Sequence, residues 1–274
     1  MSLDAQAAAT RVGDVLVSAD DGVVTAVIDR ADKRNAINYA VIEGLNAAIA
    51  TTVDSRASVL VIRGAGGNFC AGADLSYVQS TLHDGSGLET YVTRLSEVCD
   101  QLADGPFASI AAVDGYALAG GCELLLACDL AIASEDARIG DRHLANSLLP
   151  GAGGSVRLLS ALTPARARYL LYTAEMISGI DAERWGLVTA TVPSAELHQH
   201  VSRLARHIAC KSADALRAAK AMTVAAQKQP RAEALLTERR IFVDYATDND
   251  IVRDALTRFL GRSSDVANDS GHSE

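Results

Sequence analysis

The sequence predicts an α/β fold followed by a helical C-terminal region. Short β-branched runs alternate with amphipathic helical segments up to about residue 195. One run, Val59-Leu60-Val61-Ile62, is apolar at every position, the pattern of a strand buried on both faces. After Pro150 nearly every segment carries helical periodicity instead.

Val23 to Ile28 reads as the first strand, because β-branched residues suit a pleated surface. Asn35-Ala36-Ile37-Asn38 turns into a helix over Tyr39 to Thr51, with Val41, Ile42, Leu45, Ala48 and Ile49 on one face. Val59 to Ile62 is the second strand, Gly64 to Ala73 a loop, and Leu88 to Leu102 a helix. Ser109 to Val113 is a strand ended by Asp114-Gly115. Gly121 to Cys128 begins a short buried helix, and Leu130 to Ala133 is again a strand. Such alternation implies crossover connections. Gly151 to Leu162, Pro164 to Thr173, Ala195 to Cys210, Ala213 to Ala226 and Ala232 to Ala246 read as helices. Pro164 after Thr163 fits a helix start. Val188 to Val192 reads as a short strand. The predicted organisation is a core over 1–195, a helical region over 196–262, and a polar, disordered tail over 263–274. No internal repeat is visible.

The 274 residues are 49% hydrophobic, enough for a large core. Net charge is −9, and the Lys and Arg are scattered, which argues against a nucleic-acid partner. Apolar stretches are broken well short of the ~20 residues that span a bilayer, so no membrane association is expected. Residues 1–14 include Asp4 and Asp14 and no apolar core, so no secretory signal is expected. Five cysteines (Cys70, Cys99, Cys122, Cys128 and Cys210) include no CxxC pair, which argues against a disulfide framework or zinc cluster. They read as buried free thiols of a reducing, cytoplasmic compartment.

Two segments carry the chemistry: Asn68 to Leu75, and Gly115 to Glu123. Each places small residues where a strand gives way to a turn and a helix, leaving backbone N–H groups open to close approach. Two such turns facing one another can bind a single oxygen that becomes negative during reaction. Glu123 adds a carboxylate one helical turn beyond the second bend.

Four segments together resemble the enoyl-CoA hydratase/isomerase family, the crotonase superfamily: Asp32 to Asn38, Phe69 to Leu75, Gly115 to Asp129 with Gly120-Gly121-Cys122-Glu123, and Leu149 to Gly154. The resemblance spans roughly residues 15 to 260. It implies a crotonase-like spiral of ββα units with a helical C-terminal trimerisation region, assembled as a homotrimer or homohexamer. It implies a coenzyme A thioester as substrate, with no permanently bound cofactor and no metal. By motif position Ala73 and Gly120 supply the oxyanion-hole amides. Lys33, Arg34 and Ala36, with Ala71, Gly72, Asp74 and Leu75, correspond to the CoA-binding segments. Lys33 and Arg34 would meet phosphates, or else lie on a solvated turn. Ala31 stands where the family often has proline.

One position departs from the pattern. A hydratase of this family uses two glutamates around one water, one as base and one as acid. Glu123 matches the first. The second falls twenty residues later, at His143, within Ile139-Gly140-Asp141-Arg142-His143. An imidazole still exchanges protons near neutrality, so His143 can pair with Glu123. The plainer alternative is that it fills space while Asp141 and Arg142 form a surface salt bridge. Hydration by a Glu123/His143 pair, another thioester reaction (decarboxylation, hydrolysis or isomerisation), and a non-catalytic acyl-CoA scaffold all stay open. Gly151, where dienoyl isomerases of the family carry aspartate, disfavours that activity.

Other constellations fail. Ser155 lies in no GxSxG elbow. Gly64-Ala65-Gly66-Gly67 lacks the rest of a dinucleotide fingerprint. His198, Gln199 and His200 are too few for a metal site, and Trp185 reads as core. Residues 76–90, with His83, Asp84, Gly85 and Gly87, are expected to line the acyl channel.

Overall fold

The computed structural model describes residues 9–82, 85–250, 252–254 and 256–260. The chain divides into two compact units, Met1–Leu216 and Arg217–Glu274. The first unit opens with β1 (Thr10–Val12), β2 (Val15–Asp20), β3 (Val23–Ile28), α1 (Tyr39–Asp54) and β4 (Val59–Gly64). Next come α2 (Leu75–Thr81), α3 (Gly85–Asp104), β5 (Ala108–Val113), β6 (Tyr116–Leu118), α4 (Gly120–Ala127), β7 (Leu130–Ser134) and β8 (Arg138–Gly140). Then follow α5 (Gly154–Ala161), α6 (Pro164–Thr173), β9 (Ile177–Ser178), α7 (Gly179–Trp185), β10 (Ala190–Val192) and α8 (Ser194–Ala209). α9 (Ala213–Lys228) begins in this unit, and α10 (Arg231–Asp248) lies in the second.

Among the described residues, β1-β2-β3-β4-β5-β7-β10 form one sheet and β6-β8-β9 a smaller one. The antiparallel meander β1-β2-β3 leads into parallel strands from β3 to β10. β4 is the hinge of the packing. Its Leu60 and Ile62 join Val24, Ala111, Val113, Ala131 and Ala133 in the main core, beside Val41, Leu45 and Ile49 of α1. Its Val59 and Val61 face the other way, with Ile110, Ala112 and Ile132, onto Leu197, Val201 and Ala205 of α8. The uninterrupted apolar run therefore follows from burial on both faces, with period two.

α8 covers one sheet face and belongs to the first unit, which extends to Leu216. The amphipathic spacing of Leu197, Val201 and Ala205 was legible as a helix, but not as the sheet's second layer. Short elements also escaped the sequence reading. β2 alternates buried Val15 and Val17 with half-exposed Leu16 and Ser18. α2 is capped by Asp74, whose Oδ1 accepts from the Ser76 and Tyr77 amides at 3.1 and 3.3 Å.

Cys70, Cys99 and Cys122 are buried, while Cys128 is half-buried and Cys210 exposed, so the prediction of five buried thiols is corrected for the last two. Cys210 caps the end of α8, where one face meets solvent. Trp185 is half-buried, with Tyr169 of α6 edge-on at 6.1 Å and the Arg166 guanidinium 5.2 Å from its ring centre. Among the described residues no helix is long and apolar enough to cross a membrane. The predicted tail over 263–274, and His83 and Asp84, lie outside the described residues.

Gly121 fixes how closely α4 approaches the Asn68–Asp74 loop. A β-carbon there would stand 2.2 Å from the Cys70 carbonyl oxygen, a backbone atom with little freedom to yield. Gly121→Ala should therefore lower the unfolding free energy by at least about 2 kcal/mol, measured by urea denaturation. Gly67→Ala, with nothing within 4 Å of the added carbon, should cost less despite its positive φ.

Candidate active site

The two predicted turns lie together, and hydrogen bonding explains how. The loop after β4 runs beside β6: the Cys70 amide donates to the Tyr116 carbonyl at 2.8 Å, and the Leu118 amide to the Cys70 carbonyl at 3.0 Å. A parallel bridge then pairs Ala73 with Ile37. The Ile37 amide donates to the Gly72 carbonyl, and the Asp74 amide to the Ile37 carbonyl, both at 2.8 Å. That pattern uses the groups on either side of Ala73 and turns its own N–H away. On the second turn, the Ala119 amide donates to the Gly140 carbonyl at 3.0 Å, and Ala119 takes φ 48°, ψ −116°. This left-handed conformation is strained for a residue with a side chain. It reverses the chain so that Gly120 opens α4.

The bends meet closely. A β-carbon on Gly120 would lie 3.4 Å from the Ala73 nitrogen, and one on Gly72 would lie 3.5 Å from the Gly120 nitrogen. Among the described residues, neither the Ala73 nor the Gly120 amide donates a hydrogen bond. The amides of Ala71, Gly72 and Asp74 are all engaged, with the Arg34 carbonyl, the Cys70 sulfur and the Ile37 carbonyl.

Glu123 sits one turn into α4 and is 2% exposed. Its Oε1 accepts from the Ala152 and Gly154 amides at 2.8 and 2.9 Å. The Leu149–Gly154 segment thus acts as a clamp, braced by Arg157, which donates to the Ala152 carbonyl and pairs with Asp100. A β-carbon on Gly154 would press 3.0 Å from the Glu123 Cγ. Oε2 is left facing the His143 Nε2 at 3.7 Å. The other ring nitrogen, Nδ1, lies 3.0 Å from the Asp141 Oδ1.

Asp141 is 1% exposed. Arg142 turns away to donate to the Ala174 carbonyl at 2.7 Å. The Asp141–Arg142 surface pair that the sequence allowed is therefore not formed. Arg142 takes φ −35°, ψ 5° and leads into a 3-10 turn over His143–Asn146; Asp141 and His143 are buried on either side of it while Arg142 is half-buried. In the sequence Asp141 reads only as half of a surface pair, because a local turn of this kind has no periodic pattern to read. Burial pushes the Glu123 carboxyl above its usual range, against the lowering effect of the Gly154 amide, the His143 charge and the Ala152 amide. Burial also works against the His143 cation. The Asp141 hydrogen bond and charge, then Glu123, outweigh it and hold the imidazole above its usual range.

The predicted CoA-binding residues divide. Lys33 and Arg34 are exposed; the Arg34 guanidinium lies 5.4 Å from the Tyr116 ring centre. The Ala36 carbonyl and the Asp74 carboxylate are taken up by Arg30, which also pairs with Asp14 at 3.0 Å. Leu75 is exposed at the start of α2. Arg30 was not singled out in the sequence. It ties the end of β3 to Asp74 and so holds the Ala73 bend. Tyr91 of α3 was also missed: its hydroxyl donates to the Ile37 carbonyl at 3.0 Å, and its ring meets Tyr77 at 5.3 Å. Among the described residues no group of three His, Cys, Asp or Glu side chains is arranged to hold a metal ion.

This architecture is the crotonase fold, and the chain belongs to the enoyl-CoA hydratase/isomerase family, whose model matches residues 18–266. It is 35% identical over 230 residues to a probable enoyl-CoA hydratase of Mycobacterium bovis, covering 83% of this chain and 88% of that protein. It is 32% identical over 254 residues to a crotonyl-CoA hydratase of Syntrophomonas wolfei, covering 90% and 95%. The crystal structure of an enoyl-CoA hydratase from Bacillus anthracis superposes with a TM-score of 0.85 at 28% identity, over 91% of this chain and 96% of that one.

The raised His143 pKa sets a pH signature. A base held protonated by folding contributes stability in full below its ordinary value of 6.5 and loses it as pH rises through the folded value. Wild-type stability should therefore fall as pH climbs above 6.5, and His143→Gln should flatten that fall. Chemical denaturation over a pH series reads the slope; equal slopes in the two proteins would contradict the assignment.

Proposed function

We propose that the protein hydrates a 2-enoyl-CoA, with the thioester oxygen received by the Ala73 and Gly120 amides and protons moved by Glu123 and His143. The observation that carries this reading is the pair of unengaged amides beside a buried carboxylate and imidazole. Two N–H groups aimed at one oxygen stabilise the negative charge that develops when a nucleophile adds to the conjugated double bond. The N-terminal end of α4 adds its partial positive charge at the same place. Hydration then needs a group that removes a proton from water and one that delivers a proton to the α-carbon. The 3.7 Å gap between Glu123 Oε2 and His143 Nε2 is too long for a direct hydrogen bond. It suits two groups that share a water rather than bond each other.

Coenzyme A enters as part of the substrate, not as a resident cofactor. Exposed Lys33 and Arg34 suit its phosphates, and the backbone from Ala71 to Leu75 suits its pantetheine arm. The acyl group is expected along residues 76–90, which hold most of α2 and the start of α3. The compartment read from the sequence, the cytoplasm, remains part of this proposal. So does assembly as a homotrimer or homohexamer. The second unit supports it by exposing Leu235, Leu236, Phe242, Val243, Leu256, Phe259 and Leu260, more large apolar side chains than a free helix face usually carries.

Two measurements test the proposal. Loss of conjugated absorbance from crotonyl-CoA should report hydration. Glu123→Gln should lower kcat by about a hundredfold or more, while His143→Glu should raise activity by restoring two carboxylates. If wild type and Glu123→Gln are equally inert while CoA thioesters still bind, the chain is an acyl-CoA scaffold. Sedimentation should give three or six chains per particle, and Phe242→Glu should reduce that number.

A further inference from the structure

We infer that Asp141 is a positioning residue that holds His143 as the proton donor of the pair and leaves Glu123 as the acceptor. The inference rests on the hydration reading above and assigns the two roles that reading leaves open.

The geometry is one-sided. Asp141 Oδ1 lies 3.0 Å from His143 Nδ1, and Asp141 is 1% exposed. A buried carboxylate accepts hydrogen bonds, so the Nδ1 position carries the proton. Nε2 is thereby directed at the Glu123 side of the site. The charged groups facing the imidazole are Asp141 from its own segment and Glu123 from α4. Arg142 is turned out to the Ala174 carbonyl. An imidazolium between two carboxylates is favoured over a neutral ring, because the cation then answers both charges. Asp141 Oδ2 is buried without a hydrogen-bond partner among the described residues. A carboxylate left short of donors gains most from a neighbouring cation.

Glu123 is the complementary case. The Ala152 and Gly154 amides donate to its Oε1. Burial raises its carboxyl pKa, and those bonds together with the His143 charge act against that, in favour of the ionised form a base requires.

The step then balances. Glu123 takes a proton from water as the water oxygen bonds to the β-carbon. The Cα–Cβ π pair moves into the enolate. The enolate collapses, and its α-carbon takes the proton from His143 Nε2. Glu123 ends protonated and His143 neutral, and one proton passing from Oε2 to Nε2 restores the resting state.

The test pairs kinetics with magnetic resonance on the intact protein. Ring-labelled histidine spectra, assigned against His143→Gln, give the His143 protonation state and tautomer across pH. In wild type His143 should titrate above free imidazole and carry its proton on Nδ1 when neutral. Asp141→Asn can still accept from Nδ1 but has no charge. It should move the His143 titration, and with it the high-pH limb of kcat for crotonyl-CoA, to lower pH. kcat should fall about ten- to a hundredfold with KM little changed. A His143 that titrates at or below free imidazole in wild type, or carries its neutral proton on Nε2, overturns the inference even if the variants do not fold. So does an Asp141→Asn enzyme whose titration and pH limb stay in place. If the wild type hydrates no enoyl-CoA but His143 titrates as stated, the hydration reading falls while the hold of Asp141 on the imidazole stands.

Discussion

A peptide N–H left without an acceptor costs most where water is excluded, and this fold holds two unengaged amides close together, on half-buried Ala73 and buried Gly120. Ala73 owes its free amide to the parallel bridge with Ile37, which engages its neighbours and not itself. Gly120 owes its free amide to the strained bend at Ala119, which makes it the first residue of α4. Everything else around the site serves to hold those two bends in register. Arg30 fixes the first through Asp74 and the Ala36 carbonyl. The Ala119 amide fixes the second on the Gly140 carbonyl. Gly121 lets the two approach at a distance no side chain would allow.

The buried Glu123, Asp141 and His143 follow from the same placement. β8 ends at Gly140, the residue that anchors Ala119, and the chain continues directly into Asp141 and His143. α4 begins at Gly120 and carries Glu123 one turn inward. One set of backbone contacts therefore positions both the amides and the Asp141–His143–Glu123 row. Glu123 and His143 are displaced upward in pKa for different reasons: loss of water for the carboxyl, neighbouring negative charge for the imidazole.

Much of this was legible in the residues, because the informative patterns are local. The apolar run at Val59–Ile62, the face of α1 and the small-residue bends at Ala73 and Gly120 all follow from chain chemistry over a few positions. Glu123 and His143 were picked out as candidates by position within motifs, and they lie 3.7 Å apart. What escaped depends on contacts between distant segments. Three-residue strands such as β6 and β8 have no periodicity to detect. α8 looked like any amphipathic helix, and only the sheet shows which layer it completes. Arg30 and Asp141 resemble surface charges until the partners 44 residues away and two residues away, respectively, are seen.

The account turns on where a thioester oxygen would rest. A crystal structure with acetoacetyl-CoA bound is the most direct measurement. The account predicts that oxygen within about 3.2 Å of both the Ala73 and the Gly120 nitrogens, with the acyl carbons running past Glu123 and His143. An oxygen that meets one amide or neither, with the acyl group lying elsewhere, would contradict it.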